Sequence, residues 1–384
     1  MKCCICGQNL EGQPAMVDRA TGEAFCSRDS HYFGLHPSNR PQRATVHESK
    51  HDIEPATPLL WETPLKDGGD HGNRLGPVNF GDTLIVAVGS CLHALSLRGS
   101  INWTYFPSDG LTCPNLPEAC NDLIVFVTLS DKVQAVELQT GKLRWECEPG
   151  GDLQGQRPAS DGVLIYISNR EGYVYALDAN DGKVVWSHKQ PDRLSPLVIA
   201  NRCLFASGRN SVVAIDAPSG KERWSAPINH AVREAVAVVG NIAYVSTATK
   251  VVALTADLGT LLWDYEFRDD RPIQYCHASR PIVADRQIFI RRNDHSVSCV
   301  DLERHELDWR YTVPLEETEH YPYEPVVAEG IVFCEMGDSH LHAIDAASGI
   351  ALWHRPSKAI DKPFVNHGIL YFLENRRLCA LSIK

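Results

Sequence analysis

The chain has 384 residues, of which 43% are apolar and 22% are charged. This composition supports a buried core and excludes a disordered or collagen-like chain. The net charge of −11 disfavours nucleic-acid binding through overall charge. No window holds 18 uninterrupted apolar residues, so we predict no membrane-spanning helix and no membrane partner.

The first residues, MKCCICGQNL, lack the charged, apolar and small-residue regions of a secretory signal. The 13 cysteines are odd in number and irregularly spaced, which is not typical of a disulfide framework and suits a reducing compartment. We interpret the nine cysteines that follow Cys26 as core thiols. These features together predict a cytoplasmic protein.

Residues 1–37 cluster cysteines in a way typical of a metal site. Cys3 and Cys6 belong to a Cys-x-x-Cys-Gly turn, and Cys26 follows a short span later. Thiolates in such a turn are common ligands of Zn²⁺, which structural sites hold as a tetrahedron. A segment this short cannot bury enough surface to fold alone, whereas a structural zinc supplies about 10–16 kcal/mol on binding. We predict a zinc module, similar to treble-clef or zinc-ribbon modules, with the ligands Cys3, Cys6, Cys26 and His31.

The fourth zinc ligand has several candidates, because a second Cys-x-x-Cys pair would end at Asp29. His31 is the first choice, since imidazole is a common partner of thiolates, and Asp29 and His36 are the alternatives. Cys4 could take the place of Cys3. The other interpretation of the segment is a terminus with free thiols, and the zinc module itself would most often bind a protein.

Residues 38–56 contain little apolar material and are predicted to be a flexible linker. An internal repeat then extends over 57–384. The eight tryptophans follow one another at steps of 38–46 residues, the length of a four-stranded propeller blade. They are Trp61, Trp103, Trp145, Trp186, Trp224, Trp263, Trp309 and Trp353.

A triplet of a small, an aliphatic and a polar residue precedes most of these tryptophans by ten positions. The eighth triplet, Ala380-Leu381-Ser382, has no tryptophan after it, and Trp61 has no triplet before it. The segment around Trp61 should therefore supply the outer strand of the last blade. The sequence predicts an all-β fold, an eight-bladed β-propeller closed by an N-terminal strand, in which each tryptophan covers the seam between two blades.

Between triplet and tryptophan, a glycine occupies the tight turn in most repeats, because a residue at positive φ is least strained as glycine. The glycines are Gly99, Gly141, Gly182, Gly220, Gly259 and Gly349. In the sixth repeat His305 takes this position. We expect a left-handed residue or an altered turn there.

This pattern of Ala-Leu-Asp, turn glycine and tryptophan resembles the repeat of quinoprotein-type propellers, over about residues 57–384. That group includes pyrroloquinoline-quinone alcohol dehydrogenases and the propeller lipoprotein of the outer-membrane barrel assembly machinery. Compact blades look more like the non-enzymatic scaffold members. The resemblance specifies the fold and not an activity.

For the enzyme branch, the resemblance implies a quinone between a floor tryptophan and a disulfide of adjacent cysteines, beside calcium held by carboxylates. All eight tryptophans are already assigned to equivalent blade positions. The adjacent cysteines, Cys3 and Cys4, lie outside the propeller. We therefore predict no quinone and no catalytic residues. His340 and His342 are expected to be exposed or hydrogen-bonded and not metal ligands.

The residue that precedes each innermost strand should approach the central channel, and the charges of this set have mixed signs. A site for an anion would more often be uniformly basic. We therefore expect ion pairs around the channel, with a small polar ligand as the alternative. The positions are Gly76, Leu116, Arg157, Ser195, Glu234, Arg280, Glu324 and Lys362.

Two loops in neighbouring blades are longer than the others. Trp263 and Pro281 are 18 residues apart and Trp309 and Pro325 are 16 apart, whereas the shortest of these spans is ten. Tyrosines among charges are typical of a protein-binding rim, and solvated loops are the alternative. The predicted partner-binding residues are Tyr275, His277, Tyr321 and Tyr323.

These features together predict a cytoplasmic scaffold whose propeller face and zinc module bind protein partners. The alternative function is a small-ligand sensor or an enzyme that uses the mouth of the channel. Stabilisation by a metabolite would favour that alternative.

Overall fold

The computed structural model describes the strand segments 15–17, 24–26 and 45–48 and the ranges 58–66, 74–110, 116–228, 235–247, 249–267, 277–313, 323–356 and 362–383. The chain divides into two units, Met1–Ala44 and Thr45–Lys384. In the first unit, β1 (Ala15–Val17) pairs antiparallel with β2 (Ala24–Cys26). The described residues contain no helix long and apolar enough to cross a membrane.

The second unit is built from four-stranded antiparallel sheets, which we number as blades 1–8. Two strands precede blade 1, namely β3 (Thr45–Glu48) and β4 (Leu59–Pro64). Blade 1 contains β5 (Arg74–Phe80), β6 (Thr83–Val88), β7 (Cys91–Ser96) and β8 (Ile101–Tyr105). Blade 2 contains β9 (Glu118–Cys120), β10 (Leu123–Val127), β11 (Val133–Glu137) and β12 (Leu143–Cys147).

The next three blades repeat this order along the chain. Blade 3 contains β13 (Ala159–Ser160), β14 (Leu164–Ser168), β15 (Tyr173–Asp178) and β16 (Val184–Lys189). Blade 4 contains β17 (Val198–Ala200), β18 (Cys203–Ser207), β19 (Ser211–Asp216) and β20 (Glu222–Pro227). Blade 5 contains β21 (Ala237–Val239), β22 (Ile242–Ser246), β23 (Lys250–Thr255) and β24 (Leu261–Glu266).

The last blades complete the ring. Blade 6 contains β25 (Ile282–Ala284), β26 (Gln287–Arg292), β27 (Ser296–Asp301) and β28 (Glu306–Thr312). Blade 7 contains β29 (Val326–Ala328), β30 (Ile331–Glu335), β31 (His340–Asp345) and β32 (Ala351–Pro356). Blade 8 contains β33 (Phe364–Asn366), β34 (Ile369–Glu374), β35 (Arg377–Ser382) and, from the other end of the propeller chain, β4.

Blade 8 confirms the predicted closure. Its outer strand β4 pairs antiparallel with β35, and Trp61 lies opposite Ala380. At the neighbouring seam, Leu59 and Ile383 pack in the same apolar cluster as Trp353. The two distant parts of the propeller chain are therefore joined by a sheet and by side-chain packing.

The core lies between blades, because the second and third strands of each blade are apolar on both faces. In β10 all five residues are buried, and the outer strands instead alternate half-buried with exposed residues. This difference matches the sequence, in which middle strands are continuous apolar runs.

Each tryptophan covers a seam, as predicted. In five of the described seams the indole N–H donates to a backbone carbonyl of the next blade. For Trp145 the acceptor is the carbonyl of Ala179 at 2.9 Å, and for Trp186 it is that of Ala217 at 3.1 Å. The turn glycine of the next blade lies flat against the same indole, and a Cβ at Gly182 would be 2.5 Å from the ring of Trp145.

His305 forms the sixth turn in place of glycine. It adopts the left-handed conformation, with φ +56°, as one of the two expected outcomes. Its imidazole stacks on Trp263 with 4.5 Å between ring centroids and 19° between planes. The imidazole thus covers the Trp263 indole, whereas in most other repeats the backbone of a turn glycine lies against the indole.

Blade 6 has a feature that the sequence did not predict. Strand β3, inside the segment interpreted as a linker, pairs parallel with the outer strand β28, with Thr45 opposite Trp309 and Glu48 opposite Thr312. Blade 6 is therefore a five-stranded sheet. Short polar segments carry little periodicity, so such a strand leaves no clear trace in the sequence.

The described cysteines confirm the interpretation as core thiols. Cys147 is half-buried, and the other described cysteines are buried, namely Cys91, Cys120, Cys203, Cys299, Cys334 and Cys379. Burial raises the pKa of the Cys147 thiol to about 11. Cys113 and Cys276 lie outside the described residues.

Candidate functional site

The interblade loops and the turns between the second and third strands of each blade lie on one face of the propeller, because successive strands run in opposite directions. Backbone hydrogen bonds join these two sets of segments. The Phe267 N–H donates to the Thr249 carbonyl at 2.7 Å, where the first long loop begins, and the Val313 N–H donates to the His295 carbonyl at 3.2 Å, where the second begins. We call this side the loop face.

Of the predicted partner-binding residues, the structure describes His277 and Tyr323, which lie on the loop face at blades 6 and 7. His277 is anchored by its backbone, because its N–H donates to Asn293 Oδ1 at 2.8 Å and its carbonyl accepts from the Asn293 N–H at 3.0 Å. Tyr323 is 42% exposed. Tyr275 and Tyr321 lie outside the described residues.

A buried charge network lies at the loop face of blades 6 and 7, and the sequence did not reveal it. In blade 6, Arg292 and Arg310 both pair with the buried carboxylate of Asp294, the former at 3.4 Å. Arg291 of blade 6 pairs with Glu335 of blade 7 at 3.4 Å. Because the pair joins blades, it fixes their relative position at this face.

The signal for the Arg291–Glu335 pair was present in the repeat register. Arg291 and Glu335 occupy the same position in their blades. In each blade, one residue of the second strand lies opposite the small residue of the triplet, and the charged residue follows it by two positions. The equivalent position holds Ser168 in blade 3 and Ser207 in blade 4. Opposite charges at one register position in adjacent blades would have indicated the contact.

A cluster of imidazoles continues the network in blade 7. His342 is buried, with Nδ1 3.0 Å from the Tyr311 hydroxyl and Nε2 2.9 Å from an Asp338 carboxylate oxygen. The rings of His340 and His354 lie 6.2 and 5.7 Å from that of His342. Burial opposes ionisation of Asp338, but the hydrogen bond and charge of His342 outweigh it, so the pKa of this carboxyl is lowered.

His340 and His342 are hydrogen-bonded, as the sequence led us to expect. His340 Nδ1 lies 2.7 Å from the Asp338 carbonyl oxygen. Within the described ranges no group of three or more histidine, cysteine, aspartate or glutamate side chains is arranged to hold a metal ion. The predicted zinc ligands Cys3, Cys6, Cys26 and His31 lie where the structure describes no side chains.

The central channel contains the predicted ion pairs. Arg157 Nη2 lies 3.0 Å from Glu118 Oε2, and Lys362 pairs with Glu324. Burial opposes ionisation of Glu324, but Lys362 and the other channel cations outweigh it, so its pKa is lowered. Burial raises the pKa of Glu118, because it outweighs the opposing effect of the cations Arg157 and Arg280.

At two blades the channel differs from the set of positions that the sequence predicted. Glu118 carries the acidic charge of blade 2, two residues after the predicted Leu116. At Gly76 a Cβ would lie 1.7 Å from the Lys362 carbonyl oxygen, so the backbones of blades 1 and 8 meet there. Glu234 lies outside the described residues.

All eight tryptophans lie in outer strands, as their spacing predicted. The inner strands, which surround the channel, contain other residue types. The tryptophans therefore serve the seams between blades.

Curated relatives of the chain carry the name outer membrane protein assembly factor BamB. The Yersinia pestis protein is 23% identical over 248 residues, which cover 59% of this chain and 63% of the relative. The Moranella endobia protein is 25% identical over 258 residues, which cover 61% and 66%. The chain thus spans less than two thirds of the length of these relatives.

Solved structures share the fold. BamB from Moraxella catarrhalis superimposes with a TM-score of 0.69 at 16% identity, over 85% of this chain and all of that one. The quinohemoprotein alcohol dehydrogenase from Comamonas testosteroni gives a TM-score of 0.64 at 12% identity, over 86% and 78% of the two chains. At these identities the similarity establishes the fold alone.

The relatives contradict the predicted cytoplasmic localisation, since their names place them in outer membrane protein assembly. The prediction was wrong because it relied on the first residues and on unpaired thiols, and neither feature determines a compartment. The same finding removes the basis for excluding a membrane-associated partner.

A family model described as outer membrane protein assembly factor BamB matches residues 51–191, 130–314 and 170–384. The overlapping matches extend over all eight blades and agree with the repeat that the tryptophans mark. The chain therefore belongs to this family of PQQ_2-type propellers.

Proposed function

We propose that this protein is a scaffold that binds partner proteins through the loop face of blades 6 and 7, in the assembly of outer membrane proteins. Membership of the BamB family supports this proposal, because the relatives are named for that process. The distant dehydrogenases share only the fold, and the described site residues pair with one another in a manner that suits structure more than catalysis.

The observation that carries the proposal is the contrast between a rigid base and an exposed aromatic rim. Beneath the loop face, Arg291 and Glu335 fix blade 6 against blade 7. Above this base, Tyr323 is exposed at the start of blade 7. A rim held on a fixed base loses little conformational entropy on binding, and tyrosine contributes large contact area.

The test is capture of partners from native extract by the full-length protein, quantified by mass spectrometry. We expect the double variant Tyr321→Ala, Tyr323→Ala to lose a specific partner at least about tenfold, since truncating a hot-spot side chain removes about 2 kcal/mol or more. The matched control is Tyr173→Ala, because Tyr173 is 38% exposed but lies in blade 3. Equal capture by all three proteins would refute the loop face of blades 6 and 7 as the binding site.

A second candidate function, binding of a small anion in the channel, has one observation in its favour. Arg157 and Lys362 have carboxylate partners, whereas Arg280 has no ion pair within the described residues, and its buried Nε has no hydrogen bond there. Thermal stabilisation by a metabolite that Arg280→Met abolishes would support this function. A broad ligand screen without any shift would count against it.

We also propose that residues 1–37 bind a structural zinc through Cys3, Cys6, Cys26 and His31. The hairpin of β1 and β2 supports this, because it orders the backbone at Cys26, the last residue of β2, which pairs with Ala15. Elemental analysis of the full-length protein should give one zinc per chain, lost in Cys6→Ser and kept in Cys91→Ser, a buried propeller thiol. Equal zinc content in both variants, or none in the parent protein, would contradict the proposal.

A further inference from the structure

Blade 6 is distinguished among the described blades by a fifth strand on its outer edge. The added strand β3 comes from far away in the sequence and pairs parallel with β28 over four residues, Trp309–Thr312. Strand β28 is seven residues long, so Glu306–Asp308 extend beyond the pairing. An outer strand presents a row of backbone N–H and C=O groups along its edge, and over Trp309–Thr312 these groups pair with β3.

The covered edge is more buried than the outer edge of blade 3. Trp309 is 1% exposed and Tyr311 is 0% exposed. In blade 3 the tryptophan is only half-buried, and the outward residues Val184, Val185 and Lys189 of β16 are exposed. Every outward residue of β28 is at least half-buried. With the fifth strand in place the residues of β28 are shielded from water, which strengthens the hydrogen bonds of the pairing.

The pairing depends on main-chain groups and hence tolerates different sequences. Strand addition gains affinity from backbone hydrogen bonds, and the alternating side chains add selectivity. In β3 the residues Thr45 and Val46 are β-branched, which suits a strand. Four residues in parallel pairing form a weak contact, which is held because it is tethered to the same chain.

We propose that the outer edge of blade 6 is an acceptor site for an extended polypeptide strand, and that Thr45–Glu48 is its intramolecular occupant. A partner segment of six or seven residues that pairs along all of β28 displaces β3. This site is distinct from the loop face, because it lies along a blade edge, and it stands whether or not the proposed scaffold function is correct.

The test uses the full-length protein and a fluorescent peptide with the sequence of residues 41–52, PQRATVHESKHD. The double variant Val46→Pro, His47→Pro releases the edge, because one of two successive residues must direct its N–H toward β28 and proline has none. The control variant Val46→Ile, His47→Thr keeps residues that favour strands. Circular dichroism and thermal melting establish that each protein is folded.

We expect the proline variant to bind the peptide at least about tenfold more tightly than the parent protein, since apparent affinity rises with the fraction of molecules whose site is open. The control variant should bind like the parent. Hydrogen exchange should show faster exchange of the Trp309–Thr312 amides in the proline variant and its reversal by peptide. The amides of β16, an edge without an added strand, should not change.

Peptide binding that is equal in the parent and the proline variant would overturn the proposal, as would faster exchange in β28 that the peptide fails to reverse. If the proline variant does not fold, Val46→Gly weakens the strand without removing an N–H. It must then give the same order of affinities, with a smaller difference. A peptide in which the valine and the following histidine are both replaced by proline should bind to none of the proteins.

Discussion

At the residue scale, the turn glycines meet two separate requirements. Gly220 has a φ of +70°, which disfavours any side chain, and a Cβ there would lie 2.6 Å from the ring of Trp186. His305 shows that the first requirement alone does not demand glycine, because it accepts the same backbone and stacks on Trp263. In the other turns a Cβ would overlap the indole where the ring now lies, so a substitution there must also move the tryptophan.

This distinction predicts different effects for two glycine-to-alanine variants. Gly240 has a φ of +59° but nothing within 4 Å of a Cβ, so Gly240→Ala should cost only about 1–2 kcal/mol of left-handed strain. Gly220→Ala adds a clash with Trp186 and should cost about 1–3 kcal/mol more. Urea denaturation of both variants measures the difference, and equal free energies of unfolding would show that the indole contact adds nothing.

At the scale of elements, the inner strands bring opposite charges together around the channel. Glu324 and Lys362 stand at the starts of the inner strands of neighbouring blades 7 and 8, and Arg157 and Glu118 join blades 3 and 2 in the same way. The pairs therefore link blades where the inner strands are only two or three residues long and bury little apolar surface. Charge pairing substitutes there for packing.

Lys362→Met should destabilise the propeller in a pH-dependent manner. The lowered pKa of Glu324 means that its ionised form stabilises the native state above about pH 4.3, the usual pKa of glutamate, and that this contribution is lost as the pH falls through the lowered value. We expect a loss of about 1–3 kcal/mol at pH 7, because the other channel cations remain. Chemical denaturation at several pH values should show the loss shrinking below pH 4, and a loss independent of pH would exclude this origin.

The elements differ in how far the sequence reveals them. Third and outer strands are set by the triplets and by tryptophans such as Trp61, because these residues recur at fixed spacing. Strand β3 is not predictable in this way, since its four residues are stabilised by an edge some 260 residues away in sequence. The Arg291–Glu335 contact required comparison between blades, and the partner-binding residues depend on loops that no repeat constrains.

At the scale of the whole molecule, closure makes the propeller one ring. Strand β4 completes blade 8, and Thr63 of this strand donates to the Gly99 carbonyl of blade 1 at 2.7 Å. The indole of Trp61 lies against the same glycine. Strand β4 therefore completes the sheet of blade 8 and also contacts blade 1. Loosening this strand would expose two seams at once.

Trp61→Ala should lower the stability of the whole ring. Loss of a fully buried large aromatic costs about 3–5 kcal/mol, which is an upper limit for the half-buried Trp61, and because the blades share seams we expect a single thermal transition at lower temperature. Differential scanning calorimetry measures both properties. Two separate transitions would show that blade 8 opens independently of the ring, and an unchanged melting temperature would show that the Trp61 indole does not stabilise it. Leu60→Ala in the same strand is the control, because Leu60 is exposed and should have little effect.

Closure by β4 also determines when the ring can be completed during translation. Glu62 and its ion-pair partner Arg377 are 315 residues apart, so at about 5–20 residues per second the ribosome needs about 15–60 s to make the second after the first. During that interval β4 has left the ribosome, while the strand that it pairs with does not yet exist. The nascent chain therefore contains an unpaired apolar strand for most of its synthesis. Its dependence on chaperones should be greatest before the final blade emerges from the ribosome.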